Sequence, residues 1–293
     1  MKTDGRKVRI GLPKGSLQES TFDLLRRAGF DVAVSSRSYF PRIDDTELEG
    51  VMFRAQEMSR YVEEGTVDVG LTGYDWICEN GSDVVEVCEL VYSKATSQPA
   101  RWVLAVPNES SVQTCKDLEG GIVATELVQV TKEYFARQNV NVKIEFSWGA
   151  TEVKARLLDA IVEITETGSS LKANNLRIID EIMTSTTRLV ANKAAWADDF
   201  KRRKIEDLAV LLHGAIDGRE KVGLKMNLPT ARLTEVLAIL PSEKSPTVNH
   251  LADESFVAIE VVLEEAQARD LIGQVRRLGA SGIFTYPLNL VIP

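Results

Sequence analysis

The run EITETGSSLKAN (163–174) sets Thr167, Gly168, Ser169 and Ser170 between an apolar, strand-like stretch and helix-forming residues. Hydroxyls around a glycine that admits close backbone approach give the loop Glu166 to Leu171 the composition of a phosphate cradle, with amides at a helix start facing an anion. The same residues would also make an ordinary turn with a serine cap, and the loop alone does not separate the two. Asp159 and Glu163 precede it, four apart in a strand-like run and so expected on one face. Paired there, they could accept hydrogen bonds from a ribose diol or help hold a hydrated Mg2+. A solvated strand face is the other use of such a pair.

Three further stretches carry candidate chemistry. In LPKGSL (12–17) a strand meets a helix start at Lys14, which suits a pyrophosphate or triphosphate oxygen, although a surface lysine in a turn reads the same way. In FRAQEMSRYVEEGTVDVGLTGYDWI (53–77), Arg54 could bind phosphate or stack on a base, and Gly73 and Asp75 stand where a strand's carboxyl end could meet a nucleotide. A salt-bridged helix followed by a structural turn is the plainer account of that stretch. In SWGATEVKARLLDAI (147–161), Glu152 lies in a first helical turn and could be only a capping acid. The two histidines, His213 and His250, fall in a charged helix and in the tail, so no histidine base is indicated and catalysis by positioning and charge stabilisation fits better.

These residues need an alternating scaffold, and the periodicity supplies one. Strands are expected at 8–13, 67–72, 102–107, 121–125, 159–165 and 176–180, with helices at 16–29, 54–65, 128–138 and 151–158, which is α/β architecture with parallel sheets. A charged helix over 198–216 leads to the polar break DGRE (217–220), and the remainder reads βαββαβ, a ferredoxin-like order. At 293 residues and 44% hydrophobic, the chain can bury real cores without staples. A net charge of −8 lacks the basic stripe that nucleic acid requires. Cys78, Cys88 and Cys115 form no CxxC pair and read as reduced thiols, and no leader or apolar run of membrane-spanning length is seen, so a cytoplasmic protein without membrane partners is expected.

In this order, GLPKGSL, RAQEMSRYVEEGTVDVGLTGYD and GATEVKARLLDAIVEITETGSSLKANNL resemble the ATP phosphoribosyltransferase family over nearly the whole chain. The resemblance implies two type II periplasmic-binding-protein-like lobes around an active-site cleft. The first lobe would comprise 1–98 and 184–218 and the second 99–183, followed by an ACT-like, histidine-binding regulatory domain over 219–293, as in the family's self-sufficient long form. It implies transfer of phosphoribosyl from phosphoribosyl pyrophosphate to N1 of ATP, substrate-bound Mg2+, histidine as inhibitor, and a hexamer built from dimers. Carried onto this sequence, Lys14, Arg54 and Glu152 are catalytic. Lys14, Arg54, Gly73 and Asp75 take ATP, while Asp159, Glu163, Glu166, Thr167, Gly168, Ser169, Ser170 and Leu171 take phosphoribosyl pyrophosphate. Thr247, in SPTVNHLAD, and Gly282 would contact histidine. Glu163 stands where the family usually has Asp, and ANNL replaces ANGL at the end of the signature. ATELVQVTKEYF (124–135) lacks the Tyr-Pro often found after that strand, so no nucleotide contact is assigned to Leu127 or Val128. A two-lobed receptor for a small anion or solute, with an amino-acid-sensing tail, is the competing class, and it would call for a secretion signal or lipid anchor.

Overall fold

The computed structural model describes residues 6–35, 37–92, 98–241 and 245–292, which form two compact units, Met1–Ala209 and Val210–Pro293. The first unit opens with β1 (Val8–Lys14), α1 (Gln18–Arg27), β2 (Val32–Ala33), β3 (Arg42–Ile43), β4 (Leu48–Arg54), α2 (Ala55–Glu63), β5 (Val69–Gly73), α3 (Tyr74–Asn80) and β6 (Val85–Leu90). It continues with β7 (Ala100–Pro107), β8 (Ile122–Thr125), α4 (Val128–Gln138), β9 (Lys143–Phe146), α5 (Thr151–Lys154), β10 (Ala160–Thr165), α6 (Ser169–Ala173) and β11 (Leu176–Ser185). The chain then returns through β12 (Thr187–Ala191) and α7 (Lys193–Ala197) to α8 (Asp199–Asp217), a helix that runs past the division between the units.

The first unit holds two five-stranded sheets, ordered β4-β1-β5-β12-β6 and β11-β7-β10-β8-β9. They are mixed rather than parallel as the alternation predicts. β12 runs antiparallel to both β5 and β6, and β7 antiparallel to β10 and β11, because these strands carry the chain between the sheets and back. The parallel pairs β1 with β4, β1 with β5, β10 with β8 and β8 with β9 remain, and within each pair the carboxyl ends lie together.

Local chemistry explains the packing of the first sheet. Val8, Ile10 and Leu12 of β1 are fully buried, and Met58 and Val62 give α2 an apolar stripe four residues apart. Gly11 and Gly70 let that helix lie close to the sheet: a Cβ would stand 2.3 Å and 2.8 Å from Met58 Sδ at the two positions. In the second sheet Trp102, Leu104, Val123 and Val162 pack on one face with Leu127 and Phe135, while Val103, Ala105, Ile161, Leu171 and Leu176 fill the other. The helix expected over 151–158 stops at Lys154, where Leu157 and Leu158 both donate back to Lys154 O, and the chain turns before β10 begins at Ala160.

In the second unit β13 (Lys221–Pro229), α9 (Leu233–Ile239), β14 (Thr247–His250), β15 (Phe256–Glu264), α10 (Glu265–Arg277) and β16 (Ser281–Pro287) form an antiparallel sheet ordered β14-β15-β13-β16. That is the ferredoxin-like order. Leu224, Met226, Leu228 and Ile259 from the strands share one core with Val236, Leu271 and Val275 from the helices.

Candidate active site

Five of the parallel-paired strands end at one cleft of about 400 Å³. Lys14 closes β1 and Arg54 closes β4, and the two residues are partners in the strand register. Gly73 ends β5, Thr165 ends β10, and Glu126 follows the end of β8. All five residues line the cleft, together with Asp75, Glu163 and Glu166. Ligands of open α/β sheets sit beyond strand carboxyl ends for the same reason, since the loops there are free to be shaped around a substrate. The Lys14 ammonium lies 3.5 Å from the centroid of the Tyr39 ring.

The loop after β10 is built around a left-handed glycine. Gly168 has φ 75° and its amide donates to Thr165 Oγ1 at 2.7 Å, while Thr167 Oγ1 donates to Ser169 Oγ at 2.9 Å. Ser170 Oγ donates to the Glu152 carboxylate, which ties α5 to this loop. Thr167, Ser169 and Ser170 are exposed. Leu171 is buried against Val103, Ala105 and Ile161, so its side chain anchors the loop and only its backbone is available to a ligand.

The two acids before the loop part company. Glu163 faces the cleft, and burial pushes its carboxyl up to about 7; the Thr151 hydroxyl opposes that shift, and the charges of Glu152 and Glu126 add to it. Asp159 precedes the strand at its opposite end and accepts from the Ile122 amide at 2.8 Å, clamping β8 to β10. The shared face expected for the pair is therefore absent, because only Glu163 belongs to β10.

Asp75 is 2% exposed and spoken for. Its carboxylate accepts from Trp102 Nε1 at 2.7 Å and from Ser185 Oγ at 2.9 Å, and burial holds its carboxyl above the ordinary range despite both bonds. It touches the cleft as a latch between α3, β7 and β11 more than as a free ligand. Trp102, Ser185, Thr187 and Glu126 also line the cleft and were not expected from the sequence; Trp102 and Thr187 lie within strands, where local pattern signals burial and not a cleft. His213 is exposed on α8, and no histidine is among the residues lining the cleft.

Among the described residues no group of three or more His, Cys, Asp or Glu could hold a metal ion. Glu163 and Glu166 in the cleft suit instead an ion that arrives on a substrate phosphate and borrows one or two carboxylates. In the second unit Thr247 opens β14 and Gly282 lies in β16, the two edge strands of the sheet. Three inter-strand spacings, roughly 14 Å, separate those edges, so one chain does not bring both residues to a single amino acid.

Residues 54–214 match the family described as HisG, ATP phosphoribosyltransferase, and residues 218–290 match HisG, C-terminal domain. A protein of Chlorobium phaeobacteroides called ATP phosphoribosyltransferase is 59% identical over 97% of each chain. One of Prosthecochloris aestuarii with the same name is 57% identical over 100% of both. Among solved structures, a chain of the ATP phosphoribosyl transferase (HisG:HisZ) complex from Thermotoga maritima is similar at TM-score 0.61 and 27% identity, over 72% of this chain and 98% of that one.

Proposed function

The chain belongs to the ATP phosphoribosyltransferase family, and on that premise we propose how its cleft carries out the first step of histidine biosynthesis. The lone pair of adenine N1 forms a bond to the anomeric carbon of phosphoribosyl pyrophosphate. The bond from that carbon to the pyrophosphate oxygen breaks, its electron pair leaves on pyrophosphate, the carbon inverts, and the adenine N6 sheds a proton. Positive charge grows on the sugar ring and negative charge on the leaving group, so the protein's task is placement and charge stabilisation.

Lys14 and Arg54 take the charge of the pyrophosphate and the ATP phosphates, and Glu163 accepts from the ribose hydroxyls. The loop Glu166 to Leu171 wraps the 5′-phosphate, with Glu152 holding Ser170 in place. Gly73 and the surface around Asp75 border the nucleotide. Glu163 and Glu166 are the cleft carboxylates that would meet a substrate-borne Mg2+, which would supply charge neutralisation for the departing pyrophosphate. What carries the reading is the meeting of five strand ends at one cleft, with cations on the β1 and β4 ends and a carboxylate and a glycine loop on β10.

The second unit is the receptor for histidine, with Thr247 as its contact, and the chain works as a hexamer assembled from dimers without a separate regulatory subunit. Inhibition requires histidine to bind one arrangement of that assembly more tightly than another. The reaction belongs to the cytoplasm, where ATP and reduced thiols such as Cys78 and Cys88 coexist. A solute receptor is not favoured, since the relatives that share the whole chain carry the transferase name.

The test mixes the purified protein with ATP, phosphoribosyl pyrophosphate, Mg2+ and a pyrophosphatase and follows the ultraviolet absorbance of N1-substituted adenine, with and without histidine. Product that histidine suppresses is expected. A folded protein that makes none would return the chain to the receptor class, and product indifferent to histidine would remove the role given to the second unit.

A further inference from the structure

The Lys14 ammonium is held by a ring and not by a carboxylate. Among the described residues it forms no ion pair, and it rests 3.5 Å from the centroid of Tyr39, a side chain that is itself 53% exposed. Lys14 closes β1 and lines the cleft, whereas Tyr39 belongs to the stretch before β3. Strand β4 fixes that stretch in place. The Met52 amide donates to Tyr39 O at 2.8 Å, and Pro41 lies so near Gly50 that a Cβ there would stand 2.7 Å from Pro41 Cγ. The Phe40 amide donates to Ser38 Oγ at 3.0 Å, which stiffens the same turn. Because β4 is the edge strand of its sheet and β1 is its neighbour, the Tyr39 backbone lies outside β4 and its ring reaches inward to the end of β1.

This arrangement answers a problem set by the strand register. Lys14 and Arg54 are partners on neighbouring parallel strands, whose backbones run roughly 4.8 Å apart, so two cations leave the sheet side by side. Like charges so placed repel. Each has its own resting place: Lys14 on the Tyr39 ring, and Arg54 beside Gly15, where a Cβ would stand 3.5 Å from Arg54 Nη1. A carboxylate could also hold Lys14, but it would cancel the charge and occupy donors that a phosphate oxygen needs. An aromatic face attracts the cation through its quadrupole and leaves the net charge whole. An ammonium has three donors, and those turned away from the ring stay open to an oxygen.

We infer that Tyr39 is a positioning residue for the reaction: its ring holds the Lys14 ammonium in place at the cleft, still charged, for the phosphates of the substrates. A lysine already held there loses less side-chain freedom when the anion arrives, which is where the gain in affinity comes from. The inference rests on the reading that Lys14 takes the charge of pyrophosphate and of the ATP phosphates.

Proton–carbon NMR of the full chain, labelled with carbon-13 at lysine Cε, reads the contact, with Lys14→Met identifying the signal. Ring current is expected to set the Lys14 methylene protons upfield of the other lysines. Tyr39→Leu should return them to the ordinary position, and Tyr39→Phe, which keeps the ring, should not. Calorimetry with inorganic pyrophosphate then reads the consequence. Tyr39→Leu is expected to weaken binding about two- to fivefold, the weight of a cation–π contact at an exposed site, and Tyr39→Phe to restore it. Added to Lys14→Met, Tyr39→Leu should cost nothing further, since the ring would have no cation left to hold. A Lys14 signal at the ordinary position in the parent protein overturns the inference, as does an equal loss from Tyr39→Leu with and without Lys14. If the signal is shifted but Lys14→Met binds pyrophosphate and ATP as the parent does, the contact stands, the role given to Lys14 in the reaction fails, and the inference falls with it.

Discussion

Gly168 holds its φ at 75° with nothing within 4 Å of the place where a Cβ would stand. A side chain there meets two separate costs. The left-handed backbone alone costs roughly 1–2 kcal/mol for any L residue, and the open space beside the loop is where the 5′-phosphate belongs in the proposed function. Gly168→Ala is expected to show mainly the first cost, as a lowered Tm. Gly168→Val adds the second, with binding of phosphoribosyl pyrophosphate weakened at least about tenfold, or about 1.4 kcal/mol, in a titration calorimeter. Normal affinity in folded Gly168→Val would take the loop out of the phosphate site. At this scale the sequence is informative about backbone: Gly168 between hydroxyls signals a tight turn, and its φ of 75° is that turn, whereas the composition leaves phosphate cradle and capped turn both open. It is uninformative where spacing admits two arrangements. Asp159 and Glu163 stand four apart, yet the strand starts at Ala160, and the bond from Ile122 to Asp159 that decides their fates spans 37 residues.

Elements were more legible than their partnerships. Runs such as 8–13 and 102–107 are apolar enough to be strands in any context, and β1 and β7 cover them. Which strand turns antiparallel depends on where the chain changes sheets, and hydrophobic pattern does not record that. Asp75 shows the same limit, since its partners Trp102 and Ser185 lie 27 and 110 residues away. From its motif it reads as a ligand for nucleotide, whereas in the fold it joins α3 to β7 and β11. Asp75→Ala would leave the Trp102 indole N–H and the Ser185 hydroxyl buried without their acceptor, at about 1–3 kcal/mol for each. Relief of the burial that raises the Asp75 carboxyl offsets part of this. The expected net loss is about 2–4 kcal/mol in urea unfolding, with a changed Trp emission in the folded state. Asp75→Asn keeps an acceptor for Trp102 and should lose less. A loss in Asp75→Ala no larger than that of an ordinary surface substitution would mean the latch has no mechanical role.

For the whole molecule, the order βαββαβ was readable because it needs only the sequence of elements, and the antiparallel pairing follows from it. The charged helix read over 198–216 stands as α8 (Asp199–Asp217), and harder to read was that the division after Ala209 falls inside it. A helical stretch that serves two compact units carries no local sign of doing so. Two units with two proposed ligands allow a test that does not depend on turnover. A ligand at a hundredfold over its Kd stabilises the state it binds by about 2.7 kcal/mol, and hydrogen exchange shows where that protection falls. Histidine is expected to slow exchange in β13 to β16, most of all around Thr247, and phosphoribosyl pyrophosphate to slow it in the loop after β10 and at the end of β1. Thr247→Val should weaken the first effect and spare the second. Histidine that protects β1, β5 and β10 while leaving β13 to β16 unchanged would be acting at the cleft as a competitor, and the second unit would lose its role as receptor.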